Sequence, residues 1–262
     1  LAIGRGSDGG SILQFSDWHA FSRMKGELLE LDLAAWNKEK VKGEYYMSNM
    51  SNLEKLILPD HNFAIGDKYM FAGANKLKEI KYGNYGQNNN AATVTINTAT
   101  DKCKVTCIGE GAFESCYNLP DASIREMISS VAKYITNNKP TNESGLKYNK
   151  IGDNAFYHCY KFTGEFTIPD GIQYIGMQAF ENCNITKLTC TSELKEIGDR
   201  AFKQNYKLHT VDLNNINKIG VEAFDMNNTD NKKSALTTVS LGGANIRIDS
   251  KAFRSCGWLT NF

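Results

Sequence analysis

The apolar residues of this chain recur in a fixed six-residue phrase, Ile-Gly-x-x-Ala-Phe. The phrase is complete five times, and a sixth copy at residues 248–253 reads Ile-Asp-Ser-Lys-Ala-Phe. Its phenylalanines are Phe113, Phe156, Phe180, Phe202, Phe224 and Phe253. Self-similarity at a period of about 20 to 30 residues predicts a solenoid, because one such repeat can bury its apolar face only against its neighbours. We therefore expect the six phenylalanines to fill the core of stacked turns.

A short strand pattern precedes the phrase in most copies. In the copy that begins at Leu208, Val211 and Leu213 lie two residues apart, so both face one side of a strand. Thr210 and Asp212 face the other side. Equivalent strands begin at Leu28, Leu53, Leu77, Ile185 and Leu236. Stacked strands of this kind predict an α/β-type solenoid with a parallel β-sheet, in which the glycine of each phrase permits a sharp change of direction.

The solenoid is predicted over residues 28–262, after an N-terminal leader and capping segment at residues 1–27. Solenoids need their terminal apolar surfaces covered, and a short helix beginning at Ser16 is well placed to do so. The alternative is that residues 1–27 are the tail of an upstream domain. Insertions are expected at about 83–104 and 120–150. The last residues read as another strand, so we expect the array to be truncated at its C-terminal end.

The second insertion contains a predicted amphipathic helix. Ile124, Ile128, Val131 and Ile135 keep a rhythm of three to four residues, and Ser123 with Glu126 has the spacing of a capping box. We interpret this segment as a helix docked on the flank of the solenoid. A helix that binds a partner protein is the alternative.

The first insertion has a turn-rich tip at Gly83–Asn90, followed by the strand-like residues Val94–Ile96 and Lys104–Thr106. Two interpretations stay open, a hairpin of these two segments that projects from the array and a degenerate repeat that lacks its phenylalanine. Cys103 and Cys107 follow this tip. Alignment with the regular repeats places both outside the core, which predicts exposed thiols.

Cysteine recurs at one position of the repeat, three residues after the phenylalanine. Cysteines hold this position in four copies and asparagines in two: Cys116, Cys159, Cys183 and Cys256, then Asn205 and Asn227. A position that accepts either residue suits a small buried side chain that bonds the neighbouring backbone. We therefore expect a column of free side chains, with neither disulfides nor a metal site.

Composition excludes several classes of function. The chain has 30 basic and 29 acidic residues with no basic cluster, which argues against nucleic acid as a partner. No apolar run approaches the roughly 20 residues of a membrane span. Paired metal-ligand spacings, phosphate-binding glycine loops and nucleophile elbows are missing from the sequence. We therefore expect neither a cofactor, a metal nor catalytic residues.

The strand pattern, followed by Ile-x-x-Ile-Gly-x-x-Ala-Phe-x-x-Cys/Asn, resembles the BspA-like leucine-rich repeat family. The resemblance runs from Ile108 to Phe262, is clearest between Ile151 and Phe224, and weakens toward the N-terminus. It implies a leucine-rich repeat right-handed superhelix with the parallel sheet on its concave face. It also implies a bacterial protein that is secreted or surface-anchored, with its signal or anchor outside this chain, and a role in adhesion or protein binding.

The candidate binding residues lie in two places. Lys187, His209 and Asp212 are expected as neighbours on the concave sheet, and Tyr82 and Tyr85 at the tip of the first insertion. The predicted function is non-enzymatic binding, by a monomer, of a protein or glycan on a host or neighbouring cell surface. One alternative is a structural spacer that presents a neighbouring catalytic or binding domain. A more remote one is an enzyme whose site lies on the inserted loops.

Overall fold

The structure is a computed structural model that describes residues 23, 25–34, 47–84, 95–99, 101–141, 148–227, 234–242 and 245–261. These residues form a solenoid of about seven turns. They contain one 3-10 turn at Lys25–Glu27, one α-helix and fifteen β-strands. The helix is α1 (Asp121–Asn138), and the strands are β1 (Glu30–Asp32), β2 (Lys55–Pro59), β3 (Phe63–Ile65), β4 (Glu79–Asn84), β5 (Thr95–Ile96), β6 (Val105–Ile108), β7 (Lys150–Ile151), β8 (Thr163–Ile168), β9 (Tyr174–Ile175), β10 (Asn184–Cys190), β11 (Glu196–Ile197), β12 (Thr210–Asn214), β13 (Lys218–Ile219), β14 (Thr238–Gly242) and β15 (Arg247–Ile248).

Each turn contributes to two walls of the solenoid. One wall is a continuous parallel sheet of seven strands in the order β3-β6-β7-β9-β11-β13-β15. The other wall is divided into two sheets of four strands, β1-β2-β4-β5 and β8-β10-β12-β14. All pairings are parallel except that of β4 with β5. The predicted solenoid of stacked parallel strands is confirmed.

The repeat phenylalanines form one continuous ladder through the core. Rings of adjacent turns have centroids 5.2 to 5.8 Å apart and planes within 26° of parallel. The rungs are Phe71, Phe113, Phe156, Phe180, Phe202, Phe224 and Phe253. All but the partly buried Phe253 are fully buried. The predicted phenylalanine core is therefore confirmed, and Phe71 extends it by one turn toward the N-terminus.

The glycine of the phrase is needed because the turns stack closely. The expectation that it permits a sharp change of direction is not met, since the φ angle of Gly220 is not positive. A Cβ atom added at Gly220 would lie 2.6 Å from the Asp199 backbone nitrogen and 2.7 Å from the Gly198 carbonyl carbon. Such distances are shorter than side chains tolerate, so only glycine permits the backbones to lie this close.

The cysteine position forms the predicted column of hydrogen bonds to the preceding turn. Four thiols donate to the carbonyl oxygen of the phenylalanine one turn earlier: Cys116 to Phe71, Cys159 to Phe113, Cys183 to Phe156 and Cys256 to Phe224, over 3.2 to 3.4 Å. The Asn205 amide donates to the carbonyl oxygens of Phe180 (2.8 Å) and Phe202 (3.0 Å). Asn227 departs from the prediction, because it is exposed at the start of a longer connection. All seven cysteines are free thiols.

Helix α1 replaces a strand in one turn of the divided wall. It follows Leu119, whose backbone N–H donates to the carbonyl of Cys116, as in the turns that continue into strands. Its buried side chains are Ile124, Met127, Ile128, Val131 and Ala132. The docked helix is confirmed, but the capping box at Ser123 is wrong. The N-cap is Pro120, three residues earlier than Ser123, and it makes no side-chain cap hydrogen bond.

Two side chains of α1 satisfy the backbone at the edge of β8 that has no neighbouring strand. Asp121 Oδ1 accepts the Thr163 backbone N–H at 3.2 Å, and Arg125 Nη2 donates to the Thr163 carbonyl at 2.6 Å. The Arg125 guanidinium also lies 5.1 Å from the centre of the Phe162 ring. The helix therefore covers an edge that would otherwise present unpaired N–H and C=O groups.

The first insertion forms neither the predicted hairpin of its two strand-like segments nor a degenerate repeat strand, because β5 pairs with β4 and β6 pairs in parallel with β3 and β7. Gly83 of β4 pairs with Ile96 of β5 in antiparallel register, whereas a repeat strand would run parallel. Cys103 and Cys107 are buried, with 5% and 2% of their surface exposed, so the expectation of exposed thiols is wrong. Cys107 packs beside Ile135 of α1, whereas the Cys103 side chain joins the main core and only its carbonyl accepts from Ser130 of the helix.

Phe202→Ala is expected to lower the free energy of unfolding by about 3–5 kcal/mol, because it empties a buried rung of the ladder. Thr210→Ala, on the outward face of β12, should lower the free energy of unfolding by less than about 0.5 kcal/mol. Urea unfolding followed by circular dichroism measures both changes. Equal effects would contradict the inward and outward assignments.

Gly198→Ala is expected to destabilise the fold by about 1–3 kcal/mol, because the new methyl group would overlap neighbouring backbone. Its Cβ would lie 2.8 Å from the Met177 nitrogen and 2.9 Å from the Ile175 oxygen. Gly257→Ala is the matched control, since nothing lies within 4 Å of its added Cβ. The thermal midpoint should fall for the first variant alone, and a comparable fall in both would refute the role assigned to close stacking.

Candidate functional site

The outward side chains of β8, β10, β12 and β14 form two straight rows, which together we call the strand face. The first row joins Glu165, Lys187, Thr210 and Thr238, and the second joins Thr167, Thr189, Asp212 and Ser240. The hydroxyl oxygens of Thr167 and Thr189 lie 2.7 Å apart. Since the backbone ladder fixes each strand, these polar groups are held in place before any partner binds.

The structure places two of the five predicted binding residues, Lys187 and Asp212, on the strand face and a third, His209, beside it. Lys187 pairs with Thr210 in the sheet, and Asp212 lies two residues further along β12. His209 is exposed just before β12, with Nδ1 3.0 Å from the Thr210 hydroxyl. The Lys187 ammonium is 3.7 Å from the Glu165 carboxylate, and both side chains are substantially exposed.

Tyr82 does not take part in this or any other surface, so its prediction as a binding residue is wrong. It is fully buried, and burial, followed by the neighbouring Cys103, raises the pKa of its hydroxyl. The physical reason is strand alternation: Tyr82 holds the inward position of β4, equivalent to Leu58 of β2. Tyr85 and most of the insertion tip lie outside the described residues.

A cluster of charged side chains lies where the last turns stack, and its carboxylates are all paired with cations. Asp225 is fully buried and accepts two hydrogen bonds from Arg254. Glu222 contacts Lys203 at 2.7 Å and Arg200 at 3.0 Å. The hydrogen bond from Lys203, opposed by burial, lowers the pKa of Glu222 to about 2. The ion pairs of Glu222 and Asp225 join adjacent turns.

A surface aromatic cluster, made of Tyr117, Tyr157, His158 and Tyr160, lies on the turns that precede α1 and β8. The Tyr117 and Tyr160 rings stack with centroids 5.2 Å apart and planes 20° from parallel. His158 stacks on Tyr157 at 3.9 Å and on Tyr160 at 5.6 Å. Burial lowers the pKa of His158, so the imidazole is neutral at neutral pH. Tyr160 is 39% exposed, which leaves part of the cluster open to solvent.

An open depression of about 580 Å³ is lined in part by Asn118 and Lys161, which follow Tyr117 and Tyr160 in the chain. Its lining residues are Glu54, Lys76, Lys78, Asn118, Pro120, Asp121 and Lys161. Within the described ranges, no group of three or more His, Cys, Asp or Glu side chains is placed to hold a metal ion. In the same part of the chain, no helix has the length and apolar character required to cross a membrane.

Stacked parallel strands, a phenylalanine ladder and a polar strand face together define a leucine-rich repeat protein. The model for the BspA type leucine rich repeat region, six copies, matches residues 21–119, 41–162 and 143–260, so the chain belongs to this family. No curated protein matches the chain.

Two solved structures are similar to the chain over most of its length. A leucine rich cell surface protein from Faecalibacterium prausnitzii is 16% identical, with a TM-score of 0.35, and the match covers 88% of this chain and 69% of that protein. A leucine-rich repeat protein from Bacteroides ovatus is 15% identical, with a TM-score of 0.25, and the match covers 83% and 68%.

The sequence analysis missed the surface aromatic cluster, although the sequence carries a signal for it. The residue after the repeat cysteine or asparagine is tyrosine in three copies, at Tyr117, Tyr160 and Tyr206. Equivalent positions of stacked turns become neighbours, so a tyrosine that recurs at one position predicts a column of rings.

The charged cluster predicts a loss of stability in acid. Because its folded-state pKa is about 2, against an ordinary value of 4.5, Glu222 stabilises the native protein fully above pH 4.5 and progressively less as the pH falls to 2. Glu222→Gln should be less stable than the parent chain at neutral pH and should show a shallower decline between those values. Urea unfolding at several pH values measures this, and superimposable profiles would contradict the assignment.

Proposed function

We propose that the chain is a non-enzymatic, exported binding protein whose strand face holds a protein or glycan on another surface. The observation that carries the proposal is the pair of polar rows across β8, β10, β12 and β14. The proposed export of the chain to a cell surface or the medium rests on what BspA-type repeats imply.

The rows suit an extended partner because their groups repeat at the strand spacing of about 4.8 Å. Hydroxyl groups of both rows offer donors and acceptors, and Lys187, His209 and Asp212 add charge and an imidazole. The backbone loses little entropy on binding, since inward residues such as Leu188, Val211 and Leu213 are fixed in the core.

The Lys187 to Glu165 contact supports exchange of partners. At 3.7 Å between exposed side chains it contributes little to stability, because water screens such pairs. A carboxylate of a partner can therefore replace Glu165 at small cost.

An enzyme is less well supported by the charges in the structure. The most perturbed carboxylate, Glu222, is held ionised by Lys203 and Arg200 and lies in a contact between turns. Its low pKa makes it a poor proton acceptor at neutral pH.

The test begins with an array of host matrix proteins, mucins and polysaccharides, followed by titration of the best binder. Combining Lys187→Ala, His209→Ala and Asp212→Ala should weaken that binding at least about tenfold, since charged anchors are each worth on the order of 1 kcal/mol or more. Lys218→Ala, Glu196→Ala and His61→Ala together form a matched control with the same change of charge away from the strand face.

Equal binding by the two triple variants would overturn the strand face as the site. A chain that binds nothing on the array would favour the structural spacer, whose role needs the fold but no partner on this surface.

A further inference from the structure

The depression beside α1 carries an excess of positive charge. Glu54 is neutralised by Lys78 at 2.7 Å, and Asp121 by Arg125 at 2.7 Å. Lys76 donates to the uncharged Asn52 amide oxygen at 2.8 Å and has no ion pair with another described residue. Lys161 is exposed and likewise makes no ion pair within the described ranges. Lys76 also interacts electrostatically with Glu54, but three lysines face two carboxylates in this lining, and Asp121 is already paired with Arg125.

Two lining residues of the depression are chain neighbours of the stacked rings. Asn118 follows Tyr117 directly in the chain, and Lys161 follows Tyr160. These two lining residues therefore share their turns with the rings of the stacked pair. Asn118 is also fixed, because its amide nitrogen donates to the Asn75 carbonyl at 2.8 Å.

We propose that the depression and the surface aromatic cluster together bind an acidic saccharide, a sugar that carries a carboxylate. Lys76 and Lys161 hold the carboxylate, and the Asn118 amide oxygen accepts from a sugar hydroxyl. The partly exposed Tyr160 ring contacts the C–H face of a pyranose, because the negative face of an aromatic ring attracts polarised C–H groups.

The mixture of groups favours a sugar over an acidic peptide. Tyrosine rings beside amide and ammonium groups offer an apolar contact, a hydroxyl partner and a charge partner within one surface, and a carboxylated pyranose presents all three. A polyglutamate chain would use only the charges. The proposal goes beyond the binding function assigned above, since it names a ligand class and a surface separate from the strand face.

Isothermal titration with defined probes tests the proposal on the whole chain. The probes are an oligogalacturonate, its fully methyl-esterified form of equal length, sialyllactose, and a polyglutamate of the same charge. We expect binding of the oligogalacturonate, of sialyllactose or of both, which distinguishes a uronic from a sialic acid source. The esterified probe and polyglutamate should bind at least about tenfold more weakly, because the first lacks the charge and the second lacks the ring.

Variants locate the site. Lys76→Gln with Lys161→Gln should reduce affinity for the acidic sugar at least about tenfold, and Tyr160→Ala about fivefold. Lys195→Gln with Lys251→Gln is the matched control, since both are exposed lysines elsewhere, and it should bind like the parent chain. Circular dichroism and the thermal midpoint confirm that each variant is folded.

The strand-face triple variant should also bind the acidic sugar like the parent chain, so this proposal and the proposed function can fail separately. No binding of either acidic sugar at millimolar concentration would overturn the inference. Equal binding of polyglutamate, equal binding of the esterified probe, or unchanged affinity in the double lysine variant would each overturn it as well.

Discussion

The whole structure depends on how closely one turn stacks on the next. The glycine of each phrase permits backbones to approach until an added Cβ would overlap the neighbouring turn. That approach sets the spacing at which the phenylalanine rings stack and at which each repeat thiol reaches a carbonyl of the turn before. The ladder, the cysteine column and the two walls of strands are therefore consequences of one distance, and the surface rows inherit the same spacing.

Regular repeats could be predicted from the sequence because their residues keep the same surroundings in every turn. Phe202 has a phenylalanine above and below it, so a period alone locates it. The same reasoning applied to Cys183 and Asn205, whose buried hydrogen bonds follow from their position in the phrase. On the strand face, alternation along β10 and β12 was enough to place Lys187 and Asp212 outward.

Predictions failed where the chain departs from the repeat. Cys107 would face outward in a regular turn, but α1 covers it, and no local pattern reveals which surface a docked helix covers. Cys103 lies instead in the main core. Tyr82 was wrongly predicted to be exposed because it lies next to the polar residues of the insertion tip. The alternation of the strand that begins at Leu77 already placed its side chain inward. The surface aromatic cluster joins residues some forty positions apart, such as Tyr117 and Tyr160, which become neighbours only when the turns stack.

The replacement of one strand by α1 has a mechanical meaning. Tension along the solenoid axis can pass through backbone hydrogen bonds of both walls in the C-terminal turns. At α1 one wall is interrupted, and there the side chains of Asp121 and Arg125 replace strand pairing with β8. The seven-stranded sheet and the backbone bonds between the Ala-Phe turns, such as Phe113 to Ala155, continue past it. Under load along the axis, this turn therefore relies on side-chain bonds in one wall where the turns from β8 to β14 rely on strand pairing.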